Sequence, residues 1–257
     1  MYIDSHAHLG SEELFSNCAE LLKRALAVGV EVIVNICTDE LTLQRGLILK
    51  ETHPEIFLAA SSTPHDGGEA ASLFFIEVEK AARAKKLVAI GETGLDYYYE
   101  HASKEEQKKY LIKYFHLAKQ VDLPIIFHCR EAFADLFTFA EAEYSQGQAL
   151  LHCFTGTLEE AKKVLDLGWF ISFSGIATFK KSEALREVIQ YVPLDRMMIE
   201  TDAPYLAPNS KRGKVNEPSF IVETAEMIAK IKQVPLEFVA EHTKKNAVDF
   251  FLINNKN

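Results

Sequence analysis

Two histidines spaced for a shared target stand near the start of the chain, in Asp4-Ser5-His6-Ala7-His8. On an extended backbone, residues two apart point to the same side, so both imidazoles can reach one metal ion. An isolated pair of this kind also fits a surface or structural role. Further along, Glu92, His128, His152 and Asp202 each follow a short apolar run. Any one of them alone reads equally as a hydrogen-bonded core residue. Together they are four imidazoles and two carboxylates, more than one tetrahedral zinc site needs. Two divalent ions (Mg2+, Mn2+ or Zn2+) are the simplest expectation. Glu92 is the natural bridge because a carboxylate has two oxygens, and Asp202 would bind an ion or orient and deprotonate the attacking water. Glu92 and Asp202 are therefore the candidate catalytic residues, and His6, His8, Glu92, His128, His152 and Asp202 the candidate metal ligands.

For these side chains to meet, the elements carrying them must share one mouth. Eight β-rich runs recur: Met1–Ser5, Val32–Cys37, Ile56–Ser61, Leu87–Gly91, Pro124–Phe127, Ala149–Leu151, Trp169–Phe173 and Arg196–Glu200. Helical periodicity fills the segments between them. These include Glu12–Val28 with Ser11 as its cap, Leu41–His53, Gly68–Ala84, Lys104–Val121, Arg130–Tyr144, Leu158–Leu167 and Glu183–Tyr191. Strands alternating with helices imply a parallel sheet, and eight units in 257 residues imply a (β/α)8 TIM barrel, whose sites lie at the C-terminal strand ends. An open doubly wound sheet is the alternative, weakened by the lack of a GxGxxG loop after any strand. Residues 1–257 read as a single domain. Ala207–Pro218 is expected to be a long ordered loop, two helices (Ser219–Ile231 and Pro235–Phe251) to finish the chain, and Asn254–Asn257 to fray.

Composition narrows the partners. The chain has 28 basic and 37 acidic residues, a net charge of −9, so its overall field repels polyanions, and nucleic-acid binding would have to rest on local charge, bound cations included. No apolar run reaches membrane-spanning length, no signal-peptide pattern opens the sequence, and the four cysteines form no CxxC pair. A cytoplasmic protein with free thiols and no obligate protein partner is expected. By strand parity Cys129 and Cys153, next to His128 and His152, should point outward into the helix layer. Asp4, sharing the parity of His6 and His8, is either a partner that fixes an imidazole tautomer or a buried structural acid. His53, His101, His116 and His242 read as surface residues. His65, on the reactive rim, and Arg130, a possible phosphate clamp or a partner for Glu131 or a helix acid, are the candidate substrate-binding residues. Lys211, Arg212 and Lys214 could form a local basic patch or a solvated loop face. Tyr97, Tyr98 and Tyr99 could stack on bases or pack the rim.

The ordered segments DSHAHL (Asp4–Leu9), IGETGLDYY (Ile90–Tyr98), FHCRE (Phe127–Glu131), LHCFTG (Leu151–Gly156), ISFSG (Ile171–Gly175), IETDAPYLAP (Ile199–Pro208) and NEP (Asn216–Pro218) resemble the TatD-like metal-dependent deoxyribonucleases of the amidohydrolase superfamily. The resemblance implies a metal-filled barrel that hydrolyses DNA phosphodiester bonds, with exonuclease action, and assigns the same six ligands. Other branches of that superfamily place a carboxylated lysine at the bridging position; no lysine stands there in this chain. The family's HPH pattern is Thr63-Pro64-His65 here, lacking its first histidine, and Asp249 stands where the family often has a basic residue. The competing functions are a small-molecule amidohydrolase or esterase acting on a lactone, amide or phosphoester, and a deacylase of aminoacyl-nucleic acids. A catalytically dead scaffold is disfavoured because no ligand position is substituted.

Overall fold

The computed structural model describes residues 1–99 and 101–253; the expected fraying of 254–257 falls outside them. Eight parallel strands run in sequence order around the sheet: β1 (Tyr2–Ala7), β2 (Val30–Cys37), β3 (Ile56–Ala60), β4 (Ala89–Asp96), β5 (Ile125–Arg130), β6 (Ala149–Leu151), β7 (Phe170–Phe173) and β8 (Met197–Ile199). Among the described residues ten α-helices accompany them: α1 (Glu12–Phe15), α2 (Cys18–Ala27), α3 (Glu40–Thr52), α4 (Gly68–Arg83), α5 (Lys104–Val121), α6 (Phe133–Glu143), α7 (Leu158–Asp166), α8 (Glu183–Tyr191), α9 (Ile221–Lys232) and α10 (Leu236–Phe250). The result is the expected (β/α)8 barrel.

Alternation of side chains along each strand divides the core in two. Ile3, Val34, Ile36, Ala59, Ala89, Ile126, Leu150 and Met198 form one cluster from seven strands, with Phe250, Phe251 and Ile253 at the end of α10 packed on it. The other set, including Ile33, Leu58, Ile90, Phe127 and Ile171, packs against the helices. Helix starts follow local chemistry: Asp39 with Thr42 and Thr157 with Glu160 form capping boxes on α3 and α7, and Ser103 caps α5. Ser11 does stand at a helix N-cap, but its side chain makes no capping bond, and the expected single helix over Glu12–Val28 is broken at Ser16–Asn17 into α1 and α2.

Three departures from simple strand patterns place the site. β4 runs to Asp96 instead of ending at Gly91, and between Ile90 and Thr93 it sets two residues, Gly91 and Glu92, against Ile126 alone. The same irregularity in β1, between Asp4 and Ala7, breaks the parity that was expected to put Asp4 beside His6. β5 extends through Arg130, which pairs with Asp96, so α6 begins at Phe133. Among the described residues no ladder joins β8 to β1. Their seam is closed instead by Asp202 N–H donating to the His6 carbonyl (2.9 Å), His8 N–H to the Ala203 carbonyl (2.7 Å) and Ser5 Oγ to the Ile199 carbonyl (3.0 Å).

Candidate metal centre

The end of β1 with the residue after it, β4 and the chain just beyond β8 bring together one group of donors. His6 Nε2 lies 3.3 Å from His8 Nε2, 2.9 Å from Glu92 Oε2 and 3.7 Å from Asp202 Oδ1; His8 Nε2 lies 3.5 Å from that Glu92 oxygen and 3.4 Å from Asp202 Oδ1. Asp202 adopts a left-handed backbone conformation (φ +58°), which aspartate tolerates better than most residues and which turns the chain sharply after β8. Its neighbour is locked by Asp4: Thr201 N–H and Oγ1 donate to the two Asp4 oxygens at 2.9 and 2.5 Å, and His6 N–H donates to Oδ1 at 3.3 Å. Asp4 is thus a buried structural acid at the seam, bonded to no imidazole. Asn216 of the NEP segment holds the same turn, donating to the Thr201 and Tyr205 carbonyls at 2.7 and 2.6 Å.

A second group gathers on the other carboxylate oxygen. Glu92 Oε1 lies 3.4 Å from His128 Nδ1 and 3.6 Å from His152 Nε2, and those two nitrogens are 3.4 Å apart. Donors bound at about 2.0–2.2 Å to one ion stand about 2.8–3.6 Å from each other. The five pairs in which His6 or His8 takes part in the first group, and the three pairs of the second, have that spacing to within a tenth of an ångström, so the residues fit metal ions. Burial pushes the His6 imidazole down to about 4, with His152 and His8 adding to it against the pull of Glu92, so its ring is neutral and able to ligate. Burial opposes charge on Glu92, but His152, His128 and His6 outweigh it and hold the carboxyl well below its usual range.

Two acids missed in the sequence stand behind the imidazoles. Asp96 Oδ2 lies 2.9 Å from His128 Nε2, and Glu200 Oε1 lies 3.3 Å from His152 Nδ1. Glu200 also accepts from Cys153 N–H (2.6 Å) and Ser172 Oγ (2.5 Å). Both belong to strand-end motifs, GETGLD and IETD, so the available signal was an acid near a ligand position rather than at it.

Above the two groups opens a cavity of about 640 Å³. His65 lines it, its ring 5.7 Å from that of His128 and its Nδ1 buried without a hydrogen-bond partner among the described residues. His101, expected on the surface away from the site, is exposed but lies 5.2 Å from the His65 ring. Arg130 also lines the cavity and, among the described residues, pairs with neither Glu131 nor a helix acid; its guanidinium stacks 3.7 Å above the Tyr98 ring and 4.8 Å from that of Tyr99. Tyr97 turns away, its hydroxyl donating to Asp135 at 2.6 Å. Cys129 packs as expected with the outward-facing Ile125 and Phe127, although it also borders the cavity. Cys153 does not: β6 has ended at Leu151, alternation stops, and its sulfur lies 3.2 Å from Ser174 Oγ on the cavity wall. Lys211 is engaged with Phe220 (5.2 Å) and Glu223 (4.0 Å), and Arg212 lies near Phe179. Asp249 is a surface residue paired with Lys245 at 2.6 Å.

The sequence matches the model of the family described as TatD related DNase over residues 3–252. This chain belongs to the TatD family. It is a metal-dependent hydrolase. It is 37% identical to the metal-dependent hydrolase YabD of Bacillus subtilis over 99% of this chain and 100% of that protein. It is 31% identical to the 3'-5' ssDNA/RNA exonuclease TatD of Erwinia tasmaniensis, over 96% of this chain and 98% of the other. The crystal structure of the TatD homologue YJJV from Escherichia coli superposes with a TM-score of 0.92 at 26% identity, covering 98% of each chain. In this TatD family member, no helix among the described residues is long and apolar enough to cross a membrane.

Proposed function

We propose that residues 1–257 act as one catalytic domain, a binuclear metal-dependent deoxyribonuclease that removes nucleotides from DNA ends. The observation that carries this reading is the division of Glu92: one oxygen faces His6 and His8 of the first donor group, the other faces His128 and His152. Charge supports bound ions. Glu92, Asp96, Glu200 and Asp202 are each less than 10% exposed, and among the described residues none is paired with a lysine or arginine. Buried carboxylates are costly without compensation, and divalent cations would supply it in place of the protons that these acids draw onto His8, His128 and His152.

His6, His8, Glu92 and Asp202 would hold one ion, and Glu92, His128 and His152 the other; Mg2+, Mn2+ and Zn2+ are the candidates. When bound, such ions acidify water and offset the charge that develops on the attacked phosphorus. Asp202, which lines the cavity, orients the attacking water and takes its proton. The water oxygen bonds to phosphorus as the ester P–O bond breaks, and the departing oxygen takes the proton that Asp202 received. His65 and Arg130 hold the phosphate oxygens, Arg130 kept in place by the Tyr98 and Tyr99 rings, while exposed Tyr99 offers a face for a base. The family match and the exonuclease-named relative support DNA as substrate. The net charge of −9 favours a second reading, a small ester or amide hydrolysed in the same cavity.

End-labelled single-stranded DNA, incubated with chelator-stripped protein resupplied with Mg2+, Mn2+ or Zn2+, separates the two. Metal-dependent loss of end nucleotides that disappears in Glu92→Gln is the expected result. No cleavage with any of the three, by protein shown to have bound metal, overturns the nuclease reading and leaves the small-molecule one.

A further inference from the structure

Asp96 ends β4 with no exposed surface, and its surroundings fix it from every side. Its own N–H donates to Gln107 Oε1 (2.8 Å), and Gln107 Nε2 donates back to the Asp96 carbonyl (2.9 Å). Its Oδ1 accepts from Tyr98 N–H (2.9 Å) and Tyr99 N–H (3.0 Å). That leaves Oδ2 for His128 Nε2 at 2.9 Å, with His65 Nε2, at 3.7 Å, beyond hydrogen-bonding reach. An ionised carboxylate only accepts, so the His128 nitrogen facing it carries the hydrogen. An imidazole that ligates a metal is neutral and has one such hydrogen. The lone pair therefore stands on Nδ1, the atom 3.4 Å from both Glu92 Oε1 and His152 Nε2.

We infer that Asp96 is a positioning residue that fixes the His128 tautomer and thereby completes the second donor group only. The inference rests on the binuclear reading above. The first group shares only Glu92 with the second; Asp202 is itself a donor there and no atom of Asp96 takes part. Asp96 also holds the backbone of Tyr98 and Tyr99, whose rings carry Arg130, so one side chain ties the second group to the rim that would grip substrate.

In Asp96→Asn the size is kept but one oxygen becomes an NH2 group. The two tyrosine N–H groups claim the remaining oxygen, and the NH2 group faces His128 Nε2, which must then accept; the hydrogen moves to Nδ1 and the lone pair is lost to the metal. Binding of Mn2+ to the full-length protein, counted by electron paramagnetic resonance of the free ion, should show two ions on the parent. On Asp96→Asn one should bind as before and one about 10- to 100-fold more weakly. A direct measurement avoids any folding defect of the variant. In zinc-loaded parent labelled with 15N-histidine, long-range 1H–15N correlations, with His128 assigned by its loss in His128→Gln, should place the hydrogen on Nε2. Equal two-ion binding by parent and Asp96→Asn, or a hydrogen on His128 Nδ1 in the parent, overturns the inference. A parent that binds fewer than two ions overturns the binuclear reading instead, and the tautomer still decides the role of Asp96.

Discussion

Gly94, in the middle of the GETGLD motif, offers a sharp test of how the barrel places a ligand. Its backbone has φ +152°, and a Cβ built there would lie 1.8 Å from the His128 carbonyl oxygen, 2.9 Å from its carbon and 3.1 Å from its nitrogen. Restoring a tolerable 3.0 Å in Gly94→Ala requires β4 and β5 to separate by about 1.2 Å at His128. A donor group tolerates about 0.5 Å. Overpacking costs about 1–3 kcal/mol, and a non-glycine residue at this φ about 1–3 kcal/mol more. At about 2–4 °C per kcal/mol for a chain of this size, the metal-free variant should melt roughly 10 °C lower. Its second ion should bind more weakly than the first. Gly168→Ala is the control: its φ is also positive (+75°), but nothing lies within 4 Å of the added carbon, so about 1 kcal/mol is expected and metal binding should not change. Thermal denaturation and metal titration of the two variants give both quantities. A Gly94→Ala protein that melts within about 2 °C of the parent and binds both ions normally would refute the close-approach argument.

Chelation should destabilise the parent, because ions that bind only the folded chain contribute about 2.7 kcal/mol at a hundredfold excess over Kd; calorimetry with and without chelator measures the drop in Tm, and an unchanged Tm counts against bound metal. Asn216→Ala leaves the buried Thr201 carbonyl without its side-chain donor, so a loss of about 1–3 kcal/mol is expected, together with a fall in kcat that exceeds any change in KM because the Asp202 turn loosens. Burial acts to raise the Asp96 carboxyl, but His128 and the Tyr99 and Tyr98 N–H groups outweigh it and hold it at about 2, below its ordinary 3.8. Since the folded value is the lower one, this stabilisation is complete above about pH 5 and is lost as pH falls through 4 toward 2. The stability difference between metal-free parent and Asp96→Asn should shrink over that window, and a difference that stays constant would contradict the assignment.

The barrel and its six converging side chains were legible because each lies at or just past an apolar run, and topology alone sends such ends to one mouth. What could not be read were features set by pairing between strands. Glu92 reaches the centre through an extra residue in β4, and a comparable irregularity in β1 moved Asp4 from the imidazoles to the Thr201 turn. Alternation predicts faces only while the ladder continues, which is why it held for Cys129 inside β5 and failed for Cys153 beyond β6. Asp96 and Glu200 escaped notice because their partners are ring nitrogens on the far side of the ligands, visible only once ring orientation is known. Arg130 was expected in a helix; the extension of β5 placed it on the rim against Tyr98 instead.

The seam between β8 and β1 has a consequence for the order in which the molecule is assembled. Ser5 and the carbonyl it bonds are 194 residues apart in the chain, so closing the circle is among the most non-local events in folding and brings a late entropic cost. His6 and His8 stand on one side of that seam and Asp202 on the other. The first donor group cannot exist until the ends of the barrel have met, and an ion held there would act as a cross-link in place of the missing ladder. Cofactor capture would then be the closing event of folding. In metal-free protein, amide protons along β1 and β8 should be the first in the barrel to exchange.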